Sequence, residues 1–150
     1  MSDLRDLYQE VILDHSRHPR NFRVLENANY HAEGYNPLCG DRFTIFLRSD
    51  ADVLEELSFQ GSGCAISTAS ASLLTECLAG KTRKEAQAAF LRFHEMLTGD
   101  PGQVPEAREL GKLAVFAGVC EFPSRVKCAT LPWHTLRAAL EKKDDPVSTE

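Results

Sequence analysis

The chain has no run approaching the roughly 20 apolar residues that a membrane-crossing helix needs, which excludes a transmembrane segment of that kind. An excess of positive charge is missing too. Lys and Arg number 17 against 22 Asp and Glu, for a formal net charge of -5. An acidic surface gains no counterion release from a polyanion, so neither nucleic acid nor an anionic membrane is an expected partner, and another protein is. The opening residues Met1-Ser2-Asp3-Leu4-Arg5-Asp6 are charged and lack the apolar stretch of a signal peptide; the expected location is cytoplasmic. Thiols stay reduced there. The five cysteines are an odd number, which argues against a disulfide frame, and no Cys-x-x-Cys pair appears, so their spacing alone is a weak signal. No histidine stands near a key thiol in sequence and no oxyanion motif follows one, which disfavours a cysteine hydrolase.

What the chain does have is enough apolar content, 43% over 150 residues, to build the core of one ordinary domain. Leu4, Leu7, Tyr8, Val11 and Ile12 recur at three- and four-residue spacings and predict a helix over 3–17, ended by Pro19. His15 and His18 fall at its end and read as polar residues favoured by the helix dipole rather than as ligands. From 29 to 60 the period changes to two: Phe43, Ile45 and Leu47 alternate with Arg42, Thr44 and Phe46, and Leu57 shares a face with Phe59. With a strand around 29–35 this predicts a three-stranded antiparallel meander. The expected class is α+β, the sheet packed against several helices in a single domain.

Further on, Gly61-Ser62-Gly63 exits the sheet into a helix rich in small residues, which Gly80 closes. Thr82 to Glu85 reads as a capping box for the next, with Ala86, Phe90, Phe93 and Leu97 inward and His94 a packing residue among phenylalanines. Gly99-Asp100-Pro101-Gly102 breaks the chain. A helix over 106–117 is expected next, then a non-helical approach over 118–130, with Thr130 capping a last helix anchored by Trp133, Leu136 and Leu140. From Asp144 the residues are polar and expected to fray.

The chemistry concentrates on three stretches. In Asn36-Pro37-Leu38-Cys39-Gly40-Asp41, proline and glycine make a turn that can aim a thiol and a carboxylate at one point. Cys64 follows two glycines at a helix start, where exposed amides and the dipole favour a thiolate. Cys128, in Arg125-Val126-Lys127-Cys128, is read as standing just before the last helix in the same manner. Three thiolates and one carboxylate suit Zn2+ or Fe and make little sense for Mg2+ or Ca2+. A carboxylate in place of a fourth thiolate leaves such a centre labile, so transfer chemistry is open to it as well as stapling. Cys77, beside Leu73, Leu74 and Leu78, reads as core packing.

These three stretches, with Gly61-Ser62-Gly63-Cys64-Ala65-Ile66-Ser67 and Arg125-Val126-Lys127-Cys128-Ala129-Thr130-Leu131 quoted whole, resemble the cysteine motifs of the NifU/IscU-like iron-sulfur cluster assembly scaffold family. His18-Pro19-Arg20-Asn21-Phe22 is similar as well, and the likeness runs to about residue 142. Lys127 stands where IscU-type members carry a histidine, and residues about 99–118 form an insertion; both point to the SufU branch. The expected organisation is one IscU/SufU-like domain over 1–143 and, from its polar residues, a flexible tail over 144–150. The resemblance implies that Cys39, Asp41, Cys64 and Cys128 bind Zn2+, and that Cys39 accepts sulfur as a persulfide from a SufS-type cysteine desulfurase, a histidine of which takes its place on the metal. The chain would then act as a zinc-dependent sulfurtransferase with that partner rather than as a stand-alone catalyst, feeding downstream assembly or acceptor proteins. The alternative it implies is a scaffold holding a [2Fe-2S] or [4Fe-4S] cluster, or Fe, on Cys39, Cys64 and Cys128. Arg125 matches a family arginine near the site, as a partner for Asp41 or support for a thiolate, against a solvated surface charge. Cys77 and Cys120 match none of the motifs.

Overall fold

The computed structural model describes residues 2–37, 40–98, 111–141 and 147–148. Helix α1 (Ser2–Arg17) leads into the meander of β1 (Tyr30–Asn36), β2 (Asp41–Asp50) and β3 (Val53–Ser62), followed by α2 (Ala65–Leu78) and α3 (Arg83–Thr98). A 3-10 helix (Gly111–Glu121) precedes α4 (Pro123–Leu140), and Val147–Ser148 form a short strand β4. All three meander strands are antiparallel, with Asn36 opposite Asp41 and Ile45 opposite Phe59. Strand β4 adds to the β1 edge in parallel, so two residues of the segment expected to fray are paired in the sheet.

The period-two reading of β2 and β3 holds because one face meets helices and the other meets water. Phe43, Ile45, Leu47, Leu57 and Phe59 are buried, while Arg42 and Gln60 on the opposite face are exposed. Helix α2 lies against β3 and α4, α4 also lies across β1 and β2, and α1 packs on α2. The core continues into the far helices, where Phe93 stacks on Trp133 at 4.7 Å between ring centroids and meets Phe116 edge-on at 5.6 Å. The capping box forms in both directions: Glu85 N donates to Thr82 Oγ1 and Thr82 N to Glu85 Oε1, each at 3.1 Å. Gly80 takes φ 83°, the left-handed turn that a residue with a Cβ resists.

Several expectations need correction. Leu7 is 54% exposed, and α1 instead turns Tyr8, Val11, Ile12 and His15 inward. His15 stands in the last turn of α1 as expected, but not facing solvent. It is buried, with Nδ1 2.7 Å from Ser72 Oγ and Nε2 3.6 Å from Glu76 Oε1. The stretch over 118–130 is not a non-helical approach: the 3-10 helix runs past Gly118, and α4 starts at Pro123. Proline fits the first turn because the amide it lacks would have had no partner there and its φ is already helical. Thr130 then falls inside α4 and bonds its hydroxyl back to Val126 O at 2.9 Å instead of capping. The break at 99–102 and residues 106–110 of the expected third helix lie outside the described residues, as does most of the insertion over 99–118.

Burial, with Arg20 adding to it against the pull of Glu76 and Asp14, lowers the His15 pKa below its ordinary 6.5. The unfolded chain then takes up a proton that the folded chain resists. This contribution to stability is complete above pH 6.5 and is lost as pH falls below it, at up to about 1.4 kcal/mol per pH unit for one proton. Denaturant titrations should show H15Q, whose carboxamide does not titrate, losing less stability than the wild type as pH falls below 6.5. Equal losses in the two proteins would remove His15 from the account.

Candidate metal centre

The centre is assembled by a turn, a helix start and a helix interior. At the first, Gly40 at φ 73° donates its amide to Asn36 O at 2.9 Å and closes the connection between β1 and β2. Asp41 opens β2 and is buried, 1% exposed. Its Oδ1 accepts the Cys64 amide at 2.8 Å, which leaves Oδ2 turned to the sulfur side, 3.9 Å from Cys64 Sγ. Two glycines make this approach possible. At Gly61, φ 133° and the backbone of Arg42 and Phe43 leave no room for a Cβ. At Gly63 a Cβ would stand 2.5 Å from Asp41 Oδ1 and 2.6 Å from Ser67 Oγ.

Cys64 is the N-cap of α2, and its sulfur accepts the Ser67 amide at 3.5 Å, with Ser67 Oγ also at 3.5 Å. Cys128 does not repeat this geometry, contrary to the sequence reading. It is the sixth residue of α4, inside the helix, and its aim comes from the helical period. Cys128, Leu131 and Thr135 lie three and four residues apart on one buried stripe facing β1. Opposite that stripe, a Cβ at Gly34 would collide with Thr135 Oγ1 and lie 3.1 Å from Leu131 Cδ1, so the strand carries glycine where the helix presses on it. Asn36, two residues along the same face and fully buried, places Nδ2 3.7 Å from Cys128 Sγ. The sequence marks Asn36 only as a turn former and Ser67 only as a small residue for close packing, and gives no sign that they lie against the sulfurs of Cys128 and Cys64.

One ligand atom each from Asp41, Cys64 and Cys128 lies within 4.8 Å of the other two. Tetrahedral zinc with bonds of about 2.0–2.3 Å holds its ligand atoms about 3.5 Å apart, so side-chain shifts of about 1 Å would close the group on an ion. Two soft sulfurs and one carboxylate oxygen fit Zn2+ or Fe and do not fit Mg2+ or Ca2+. The neighbouring Cys128 side chain, with the Ser67 hydroxyl and amide, outweighs burial and the Asp41 charge and lowers the Cys64 thiol to about 6. A thiol that ionises so readily is prepared as a ligand.

Cys39 lies outside the described residues. Arg125 is exposed in the first turn of α4 and makes no ion pair with Asp41 among the described residues; it lines a cleft of about 350 Å³ with Ile66, Val119 and Phe122. His94 and His134 group with Phe90 between α3 and α4, and neither belongs to the ligand group. Cys77 packs against the core, and burial raises its pKa.

Two outcomes are expected of the centre. Replacing Gly63 by alanine should displace the Asp41 carboxylate or the Ser67 hydroxyl and weaken Zn2+ binding by roughly tenfold or more, read by competition with a chromophoric chelator; unchanged affinity would show that the crowding is relieved elsewhere. Chelation should lower the melting temperature yet leave the far-ultraviolet circular dichroism of a folded chain, because the apolar core does not pass through the ligands. A random-coil spectrum after chelation would contradict this.

The model of the NifU-like N terminal domain matches residues 7–129. The chain is 39% identical over 142 residues to the iron-sulfur cluster assembly scaffold protein IscU of Streptococcus pyogenes serotype M1, covering 95% of this chain and 87% of that protein. It is 38% identical over 143 residues to the zinc-dependent sulfurtransferase SufU of Bacillus subtilis (strain 168), covering 95% of each. Among solved structures it is similar to that of a candidate iron-sulfur cluster assembly scaffold for the SUF system from Fervidobacterium islandicum AW-1, at 37% identity and a TM-score of 0.81 over 87% of this chain and 94% of that one. Sequence and fold thus agree along nearly the whole length, and the chain belongs to the NifU-like N-terminal domain family of IscU- and SufU-type proteins.

Proposed function

We propose that the protein is a zinc-dependent sulfur-transfer partner in iron-sulfur cluster assembly. The observation that carries this reading is the meeting of Asp41, Cys64 and Cys128 from three separate elements within 4.8 Å. Cys39, two residues before Asp41 in the chain, supplies the fourth ligand and is the sulfur acceptor. Bound Zn2+ would keep the thiols deprotonated yet shielded from oxidation. Asp41 is a harder and more weakly held donor than a fourth thiolate, which suits a centre that must give up one ligand.

In the transfer itself the Cys39 thiolate attacks the outer sulfur of a persulfide on a SufS-type cysteine desulfurase. A sulfur-sulfur bond forms on Cys39 as the donor's sulfur-sulfur bond breaks, and the donor cysteine leaves as a thiolate. No electrons are gained or lost overall. Arg125 is the candidate to support the thiolate or the partner's approach from the rim of its cleft. Downstream assembly or acceptor proteins then take the sulfur.

Lys127, where a histidine would favour the scaffold type, tilts the reading toward transfer; the identity to proteins named IscU keeps a cluster scaffold as the second reading. Protein purified without affinity-tag metals should carry stoichiometric zinc, be colourless, and raise the rate of a SufS-type desulfurase, with the stimulation absent in C39A. A zinc-free protein that leaves the desulfurase rate unchanged would defeat the proposal. Brown protein from anaerobic isolation that hands a cluster to an apo-acceptor would establish the scaffold instead.

A further inference from the structure

We propose that Asn36 is a positioning residue of the metal centre, its side-chain amide donating an N–H···S hydrogen bond to the thiolate of Cys128. This rests on the metal-binding reading above and extends it to a residue that is not itself a ligand.

The case begins with burial. Asn36 is fully enclosed, and a carboxamide taken out of water must find partners inside the protein. Its backbone is committed to the turn, pairing with Asp41 and accepting the Gly40 amide at 2.9 Å. Its Nδ2 is directed to Cys128 Sγ at 3.7 Å, across 92 residues of sequence, within reach of a bond to sulfur. A metal-bound cysteine has no proton and can only accept. The amide must therefore present nitrogen, not oxygen, to that sulfur.

The three identified ligands are supplied differently. Asp41 takes the amide of Cys64, and Cys64 takes the amide of Ser67 at the start of α2. Such amides are available at a helix N-terminus and spent inside one. Cys128 sits inside α4, and as a thiol it turns to the Ser124 carbonyl at 3.6 Å, an acceptor that cannot serve a thiolate. Once the proton leaves, Asn36 does for Cys128 what helix-terminal amides do for Cys64. An N–H···S bond draws charge from the sulfur, stabilising the buried thiolate and lowering the energy of the electrons it shares with a metal. Because Asn36 also ends β1, the same bond ties the end of that strand to α4.

The test compares Co2+- and Zn2+-loaded wild type with N36L, which keeps the bulk without the donor, and N36D, which keeps the shape but offers oxygen in place of nitrogen. Loss of the donor should move the sulfur-to-cobalt charge-transfer band to lower energy and weaken Zn2+ binding roughly 10- to 100-fold by chelator competition. If N36L does not fold, as judged by circular dichroism, N36D carries the measurement. A lower melting temperature with band and affinity unchanged would overturn the proposal and leave Asn36 a purely structural amide. A wild type showing no thiolate-to-cobalt band at all would instead remove the centre on which the proposal stands, so the two failures are distinguishable.

Discussion

The hydrogen bond from the Cys64 amide to Asp41 Oδ1 is the joint on which the centre is organised. It fixes the first residue of β2 to the start of α2, and it does so with a carboxylate that is almost wholly removed from water. Burying such a group without donors or a counter-charge costs several kcal/mol, far more than one amide bond returns. Two sulfurs that share its surroundings add to that cost when they ionise. A cation among the three would resolve both problems at once. The glycines at 61 and 63 fit this account, since they are what let strand end and helix start approach closely enough to form the joint.

How much of this could be read from sequence follows from the range of the forces involved. The meander was legible because alternation in Phe43, Ile45 and Leu47 reports directly on a sheet with one wet face. The Thr82–Glu85 box was legible because both of its bonds are local. The start of α4 was not: Pro123 and Pro132 each permit a helix start, and only the packing of Cys128, Leu131 and Thr135 against β1 decides for the first. The same applies to His15, whose partners Ser72 and Glu76 lie on another helix. Leu7 erred the other way, apolar by type yet beyond the width of the stripe that α2 covers.

Of the proposed ligand set, Asp41, Cys64 and Cys128 are the members that the fold brings together, and sequence could single them out because each stands in a short stretch with its own local chemistry. The reason for their convergence could not. Cys64 is aimed by its own local geometry as an N-cap, so its role survives any error about the rest of the fold. Cys128 is aimed only by the tertiary position of α4, and a helix begun at Thr130 would have left it unplaced. Its supporting amide, Asn36, was likewise invisible, because a turn explains an asparagine before proline without reference to any distant sulfur.

That difference bears on how the centre can work. A site whose ligands all came from one loop would order only when metal arrived, as small zinc modules do. Here β1, β2, α2 and α4 are held by apolar burial, from Ile45 and Phe59 in the sheet to Leu131 and Trp133 on α4, and the ligands ride on them. Asp41, Cys64 and Cys128 thus form a preset half-shell whose positions do not depend on the remaining ligand. If that ligand is Cys39, its departure to a partner's persulfide costs the metal one bond and leaves the frame unchanged, whereas loss of Cys64 or Cys128 would pull against a packed helix. On that proposal the labile member of the set is decided by how firmly the fold holds the other three.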